Sequence, residues 1–252
     1  MKNAVKLYGS IVSPITAASA MNKTTLMTAK SKKSGKKKKA IDMRSSGFGR
    51  PVDVSWLFTA SEKYDISPDI RDYVVVPVPV ITAAIPNRNC QAFPKNSLLD
   101  FSTEYGVPRY ASFVGKPTFE EHVNDILVNA KGVNLDATLV HIPKYNAYKV
   151  VVLSAFCRQK DPRLAKLILS GKRNSYSMGA VATKFRCSIC GGMLGPGVSR
   201  TCVCRGTDYT QLGSLGRVIK GKLHYHSALD PIFIENSSVA DPADISAVAP
   251  VL

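Results

Sequence analysis

Asn134–Phe156, NLDATLVHIPKYNAYKVVVLSAF, decides the fold class. Two runs rich in β-branched and aromatic residues, Asn134–His141 and Ala147–Phe156, flank Pro143-Lys-Tyr-Asn146. A proline and an asparagine between such runs predict two strands joined by a short turn. Upstream, Tyr73–Ile85 (YVVVPVPVITAAI) is equally β-prone, but Pro77 and Pro79 cannot donate to a ladder, so this segment is expected at a sheet edge. Phe119–Ala130 (FEEHVNDILVNA) spaces Phe119, Val123, Ile126 and Leu127 as one helical face does and predicts a helix. Asp161-Pro162 opens a second helix over Arg163–Leu169, closed by Gly171. Ser175–Thr183 and Pro231–Ile234 read as further strands. Strands and helices follow one another without a regular βαβ alternation, and no internal repeat is present. The class is therefore α+β.

The chain has 252 residues and is 45% hydrophobic, enough for one domain with a sizeable core. Its net charge of +16 is unevenly spread. Residues 1–50 hold 12 Lys/Arg against Asp42 alone, while the other 202 residues hold 22 against 17 acids. Lys30–Lys39 places seven lysines in ten positions, a run that repels itself and buries nothing. Residues 1–50 are thus expected to be a disordered basic arm, able to engage nucleic acid or an acidic protein surface. No uncharged apolar run reaches the ~18–20 residues of a membrane-spanning helix. Lys2, Lys6 and Ala18-Ser19-Ala20 imitate a secretory leader, but Ser10, Ser13, Pro14 and Thr16 interrupt its apolar middle. No membrane association is expected.

Four of the six cysteines crowd into eighteen residues, as Cys187-Ser-Ile-Cys190 and Cys202-Val-Cys204. The first pair is followed by Gly191 and Gly192, the tight turn that lets two thiolates reach one tetrahedral ion. Eleven residues rich in glycine and proline separate the pairs, enough to fold back as a knuckle over 184–206. Two disulfides or a redox pair compete with this reading, yet a Cys-x-Cys disulfide is strained. A structural zinc bound by Cys187, Cys190, Cys202 and Cys204 is the expectation, with His224 or His226 as substitutes for one thiolate. Cys90 and Cys157 stand apart.

Tyr176-Ser177-Met178-Gly179 sets a serine beside a glycine that leaves room for close approach. His122 stands fifty-five residues upstream, followed by Lys131-Gly132. A serine hydroxyl becomes a nucleophile when an imidazole removes its proton, and the imidazole needs a third group to fix its tautomer. Ser177 and His122 suit the first two roles. The third falls to Glu235, Asp241 or His226, and His141 is an alternative base. Near the end of the chain, Glu235-Asn-Ser237-Ser-Val239-Ala-Asp-Pro242-Ala243 completes the set.

Over about residues 70–247 these three blocks resemble the prohead maturation proteases of tailed bacteriophages, serine peptidases that share the assemblin fold. An aromatic-Ser-(Met/Val/Ile)-Gly nucleophile block, a histidine some fifty residues earlier, and Glu-x-Ser-x-Val-x-x-Pro-Ala at the C-terminal side are all matched here. The resemblance favours Glu235 as third member. It implies an assemblin-like β-barrel core flanked by helices within residues 51–247, carrying the zinc knuckle as an insertion. It implies an endopeptidase that cuts phage scaffold and capsid precursor proteins, and itself, inside the prohead in the bacterial host cytoplasm. Residues 1–50 would then be a propeptide, or a tether to acidic scaffold or DNA. Pairing of two copies is also implied. Related enzymes cut after glutamate, which makes Ala60-Ser61-Glu62 and Ser102-Thr103-Glu104 the candidate self-cleavage sites. The competing readings are a zinc-ribbon protein that grips nucleic acid with its lysine arm, and a catalytically inactive protease homologue serving as a head component.

Overall fold

The computed structural model describes the backbone of residues 5–8 together with residues 57–143, 146–197, 204 and 215–240. In chain order the strands are β1 (Val5–Tyr8), β2 (Tyr73–Thr82), β3 (Gln91–Ala92), β4 (Phe101–Ser102), β5 (Val107–Pro108), β6 (Pro117–Glu120) and β7 (Gly132–Ile142). They continue with β8 (Ala147–Cys157), β9 (Tyr176–Ala182), β10 (Phe185–Cys187), β11 (Met193–Leu194), β12 (Val218–Ile219), β13 (Lys222–Leu223), β14 (His226–Ala228) and β15 (Ile232–Ser238). Among the described residues three α-helices accompany them, α1 (Leu57–Tyr64), α2 (Lys95–Leu99) and α3 (Pro162–Leu169). The architecture is α+β, mostly strands.

Seven strands form the main sheet in the order β1-β9-β15-β6-β7-β8-β2. Among the described residues no pairing joins its two edges, so the sheet is open and the expected barrel is not closed. The β7–β8 hairpin is its longest ladder, and Ile142 pairs with Ala147 around the Pro143–Asn146 turn. β2 sits at the edge against β8, where Pro77 and Pro79 leave no inner-strand donor missing. Asp161 caps α3 by accepting from the Leu164 amide, with Pro162 in the first turn.

The helix expected over Phe119–Ala130 is absent. Phe119 belongs to β6 and is buried, whereas Val123 and Ile126 are 53% and 56% exposed, so the apolar spacing has no surface to pack against. Glu121 and His122 both take left-handed backbone, at φ 51° and 57°, which turns the chain away at the point where a helix would begin. Only Leu127–Asn129 forms a single 3₁₀ turn in this segment.

β10, β11, β14 and β3 make a second, four-stranded sheet. Three of its strands, β10, β11 and β14, come from the excursion between β9 and β15, and β3 joins β14 in parallel from far upstream. Of the basic N-terminal segment, Val5–Tyr8 pair with β9, and the rest, Lys30–Lys39 included, lies outside the described residues. Among the described residues no helix is long and apolar enough to cross a membrane.

Strand β15 runs four residues past its apolar run, which ends at Ile234, and Glu235, Asn236, Ser237 and Ser238 are all buried. Asn236 Nδ2 donates to Ser154 Oγ at 2.7 Å and to Asn134 Oδ1 at 3.4 Å, and Ser154 Oγ donates to Asn134 Oδ1 at 2.9 Å. This polar network holds the central strand to the β7–β8 hairpin. Asn236→Ala is expected to cost about 1–3 kcal/mol of stability by leaving buried groups without a partner, measured by urea denaturation.

Candidate active site and metal cluster

β9 and β15 are antiparallel neighbours, with Ser177 opposite Ser237 and Gly179 opposite Glu235. Directly opposed residues share a face, and so do residues two apart, which places Ser177, Gly179, Ser237 and Glu235 on one side of the sheet. Phe233 faces the other way, opposite Ala180, and stacks on Phe113 with ring centroids 4.3 Å apart. Strict alternation would send Phe233 and Glu235 to the same face. A bulge between them shifts the register by one residue and turns the carboxylate out of the apolar core.

Gly179 makes this carboxylate possible. A Cβ at that position would come within 2.5 Å of Glu235 Oε1 and 2.9 Å of its Cγ. The room seen in the sequence beside Ser177 is therefore taken by the acid itself. Glu235 is 1% exposed, and both of its oxygens are engaged. Oε1 lies 2.9 Å from His122 Nδ1, and Oε2 accepts from Ser237 Oγ at 2.6 Å. The carboxylate acceptor assigns the imidazole proton to Nδ1, which makes Nε2 the nitrogen that can act as a base.

His122 reaches this point because β6 runs parallel to β15, with Ser238 opposite Glu120. The Glu121 amide extends that pairing by donating to Ser238 O at 3.0 Å. Ser177 Oγ is buried, its residue 2% exposed, and has no hydrogen-bond partner among the described residues, His122 included. Burial pushes the phenol of neighbouring Tyr176 well above its ordinary value, so it stays neutral.

The other residues singled out by the sequence lie elsewhere. His226 pairs across β10–β14 with Cys187 and belongs to the cysteine cluster; it is not the partner of His122 in the described contacts. His141 lies at the tip of the β7–β8 hairpin, with its ring against Tyr148 and Nε2 facing Asn146 Oδ1 at 3.4 Å. Asp241 and Cys202 lie outside the described residues. Sequence reasoning assigned no role to Ser237 or to Arg173. The opposite charges of Lys172-Arg173 and Glu120-Glu121, each just before a site residue, were the available signal for Arg173.

Cys187, Cys190 and Cys204 bring three sulfurs within 4.8 Å of one another, a cluster compatible with a metal ion. None of the three forms a disulfide in this structure. The turn has the shape thiolate ligation requires. Ile189 N donates to Cys187 Sγ at 3.4 Å, Gly192 N donates to Cys190 Sγ at 3.3 Å, and Gly191 takes left-handed backbone at φ 67°. Cys187 is shared with a second group, Cys187, His224 and His226, in which His224 Nε2 lies 3.3 Å from Cys187 Sγ. Burial, reinforced by the thiols of Cys190 and Cys187, pushes the Cys204 thiol up to about 11.

No protein-family model matches the chain, and no curated protein or solved structure matches it either. The geometry itself is the ground for a functional reading.

Gly179→Ala is expected to displace the Glu235 carboxylate and break its contact with His122. The downfield proton resonance of a hydrogen-bonded imidazole Nδ1–H should be present in the parent chain and absent in this variant.

Proposed function

We propose that the chain is a serine endopeptidase of the tailed-phage prohead maturation type, assemblin-like, with Ser177, His122 and Glu235 as its triad. The observation that carries this reading is the His122 Nδ1–Glu235 Oε1 contact of 2.9 Å, made on the sheet face that also bears Ser177. Ser177 Oγ attacks the carbonyl carbon of a peptide bond as its proton passes to His122 Nε2. Glu235 stabilises the imidazolium, which returns the proton to the departing amine. Water then enters by the same route and releases the acyl group from Ser177. The resemblance directs this activity to phage scaffold and capsid precursor proteins within the prohead, and to the chain itself.

An active-site-directed fluorophosphonate is expected to label the full chain at Ser177, and Ser177→Ala to abolish labelling and self-processing. Glu235→Gln should slow labelling on the order of 10³–10⁴-fold with the fold intact, because it selects the wrong tautomer. A Ser177→Ala chain that still processes itself would exclude Ser177 as the nucleophile.

The two candidate self-cleavage sites both present an exposed glutamate but differ in backbone conformation. Glu62 lies within α1, beside buried Ser61, whereas Glu104 lies in the exposed turn between β4 and β5. A peptidase needs an extended segment, which an exposed turn supplies far more readily than a packed helix. Intact-mass analysis is expected to find the cut after Glu104; a first cut after Glu62 would reverse this order.

Cys187, Cys190 and Cys204 are read as ligands of a structural zinc, a role suited to a closed thiolate-rich site. The raised Cys204 thiol is protonated at neutral pH in the metal-free chain, so zinc must displace its proton. Affinity should therefore rise with pH and fall on acidification. One zinc per chain at neutral pH, lost in acid, is expected by elemental analysis, and none at neutral pH would overturn the assignment.

A further inference from the structure

The turn that carries His122 is costly to hold. Glu121 and His122 both occupy left-handed backbone without being glycine, and the apolar residues that follow, Val123 and Ile126, are exposed and give it no packing. Beside its backbone bonds, such as the Glu121 amide to Ser238 O, it is held by side chains of another segment. Arg173 Nη1 donates to Glu121 Oε1 at 2.6 Å, and Nη2 donates to Glu120 Oε1 at 3.0 Å. Arg163 Nη2 takes the remaining oxygen of Glu120. Glu121 Oε1 also accepts the Ala240 amide at 2.8 Å, just beyond β15. The Val239 amide donates to Ser175 O at 3.0 Å, which ties the same stretch to the start of β9.

The fork of Arg173 thus touches the histidine turn directly and, through Glu121, the chain leaving the strand of Glu235. Arg173 itself lies four residues before Ser177. Its side chain is 15% exposed and that of Glu120 14%, so solvent screens these contacts less than it screens ordinary surface pairs. A lysine could not replace it, because a single ammonium cannot address two carboxylates in the fixed geometry of a guanidinium fork.

We propose that Arg173 is the positioning residue of the site: by clamping Glu120 and Glu121 it holds the His122 turn in register with Glu235 and Ser177. This rests on the serine-peptidase reading. It predicts that loss of the clamp releases the imidazole without removing any group that touches substrate. In the full-length chain, Arg173→Gln is expected to slow fluorophosphonate labelling of Ser177 about 100-fold, the scale of a misplacement of about 1 Å. It should also erase the hydrogen-bonded Nδ1–H resonance of His122. Arg173→Lys should fall between the two, and Glu121→Gln, at a half-exposed position where the fold is not at stake, should weaken the same resonance. The resonance depends on no catalytic activity. A parent chain that is never labelled would count against the peptidase reading, while the response of the resonance to Arg173→Gln and Glu121→Gln would still test the clamp. Unchanged labelling and an unchanged resonance in both variants would overturn it.

Discussion

A carboxylate buried to 1% exposure is the constraint around which the site is arranged. A carboxyl group in that setting needs a partner for each of its oxygens, and Glu235 finds His122 on one side and Ser237 on the other. The bulge before it chooses the face, Gly179 leaves the space, and the parallel pairing of β6 delivers the imidazole. Each of these is a backbone decision. Strand register places Ser177 and Glu235, and the turn that follows β6 places His122.

The two faces of β15 do different work. Phe233 and Asn236 fasten the strand, one by stacking on Phe113 and the other through Asn134 and Ser154. Glu235 and Ser237 look the other way, toward Ser177. A misplacement of one residue in the register would exchange the two sets and bury the acid in the apolar core. The polar network therefore serves specificity of register as much as stability.

The hairpin of Asn134–Phe156 and the edge position of Tyr73–Thr82 were legible because β-branched side chains and proline have direct steric consequences. The Phe119–Ala130 segment was misread because a helical spacing of apolar residues says nothing about whether a surface exists to cover them; Val123 and Ile126 remain in solvent. Glu235 was legible from the Glu-Asn-Ser-Ser-Val block, not from periodicity, since a polar run ordinarily ends a strand. The bulge at Ile234 and the fork of Arg173 were not legible, because both depend on distant segments meeting. The cysteine turn was readable from Cys-x-x-Cys-Gly, and the neighbourhood of Cys187 and His224 only from the fold.

β15 lies in the middle of the main sheet, between β9 and β6, yet it is the last of the described strands to be synthesised. A chain that emerges from its N-terminal end makes the strand of Ser177 and the turn of His122 first, with a gap between them that only β15 can fill. The meeting of His122 with Glu235 thus spans a long sequence separation and comes late. A nascent chain carries the serine and the histidine with no acid to align them, so vectorial synthesis delays the complete site until its central strand has been inserted.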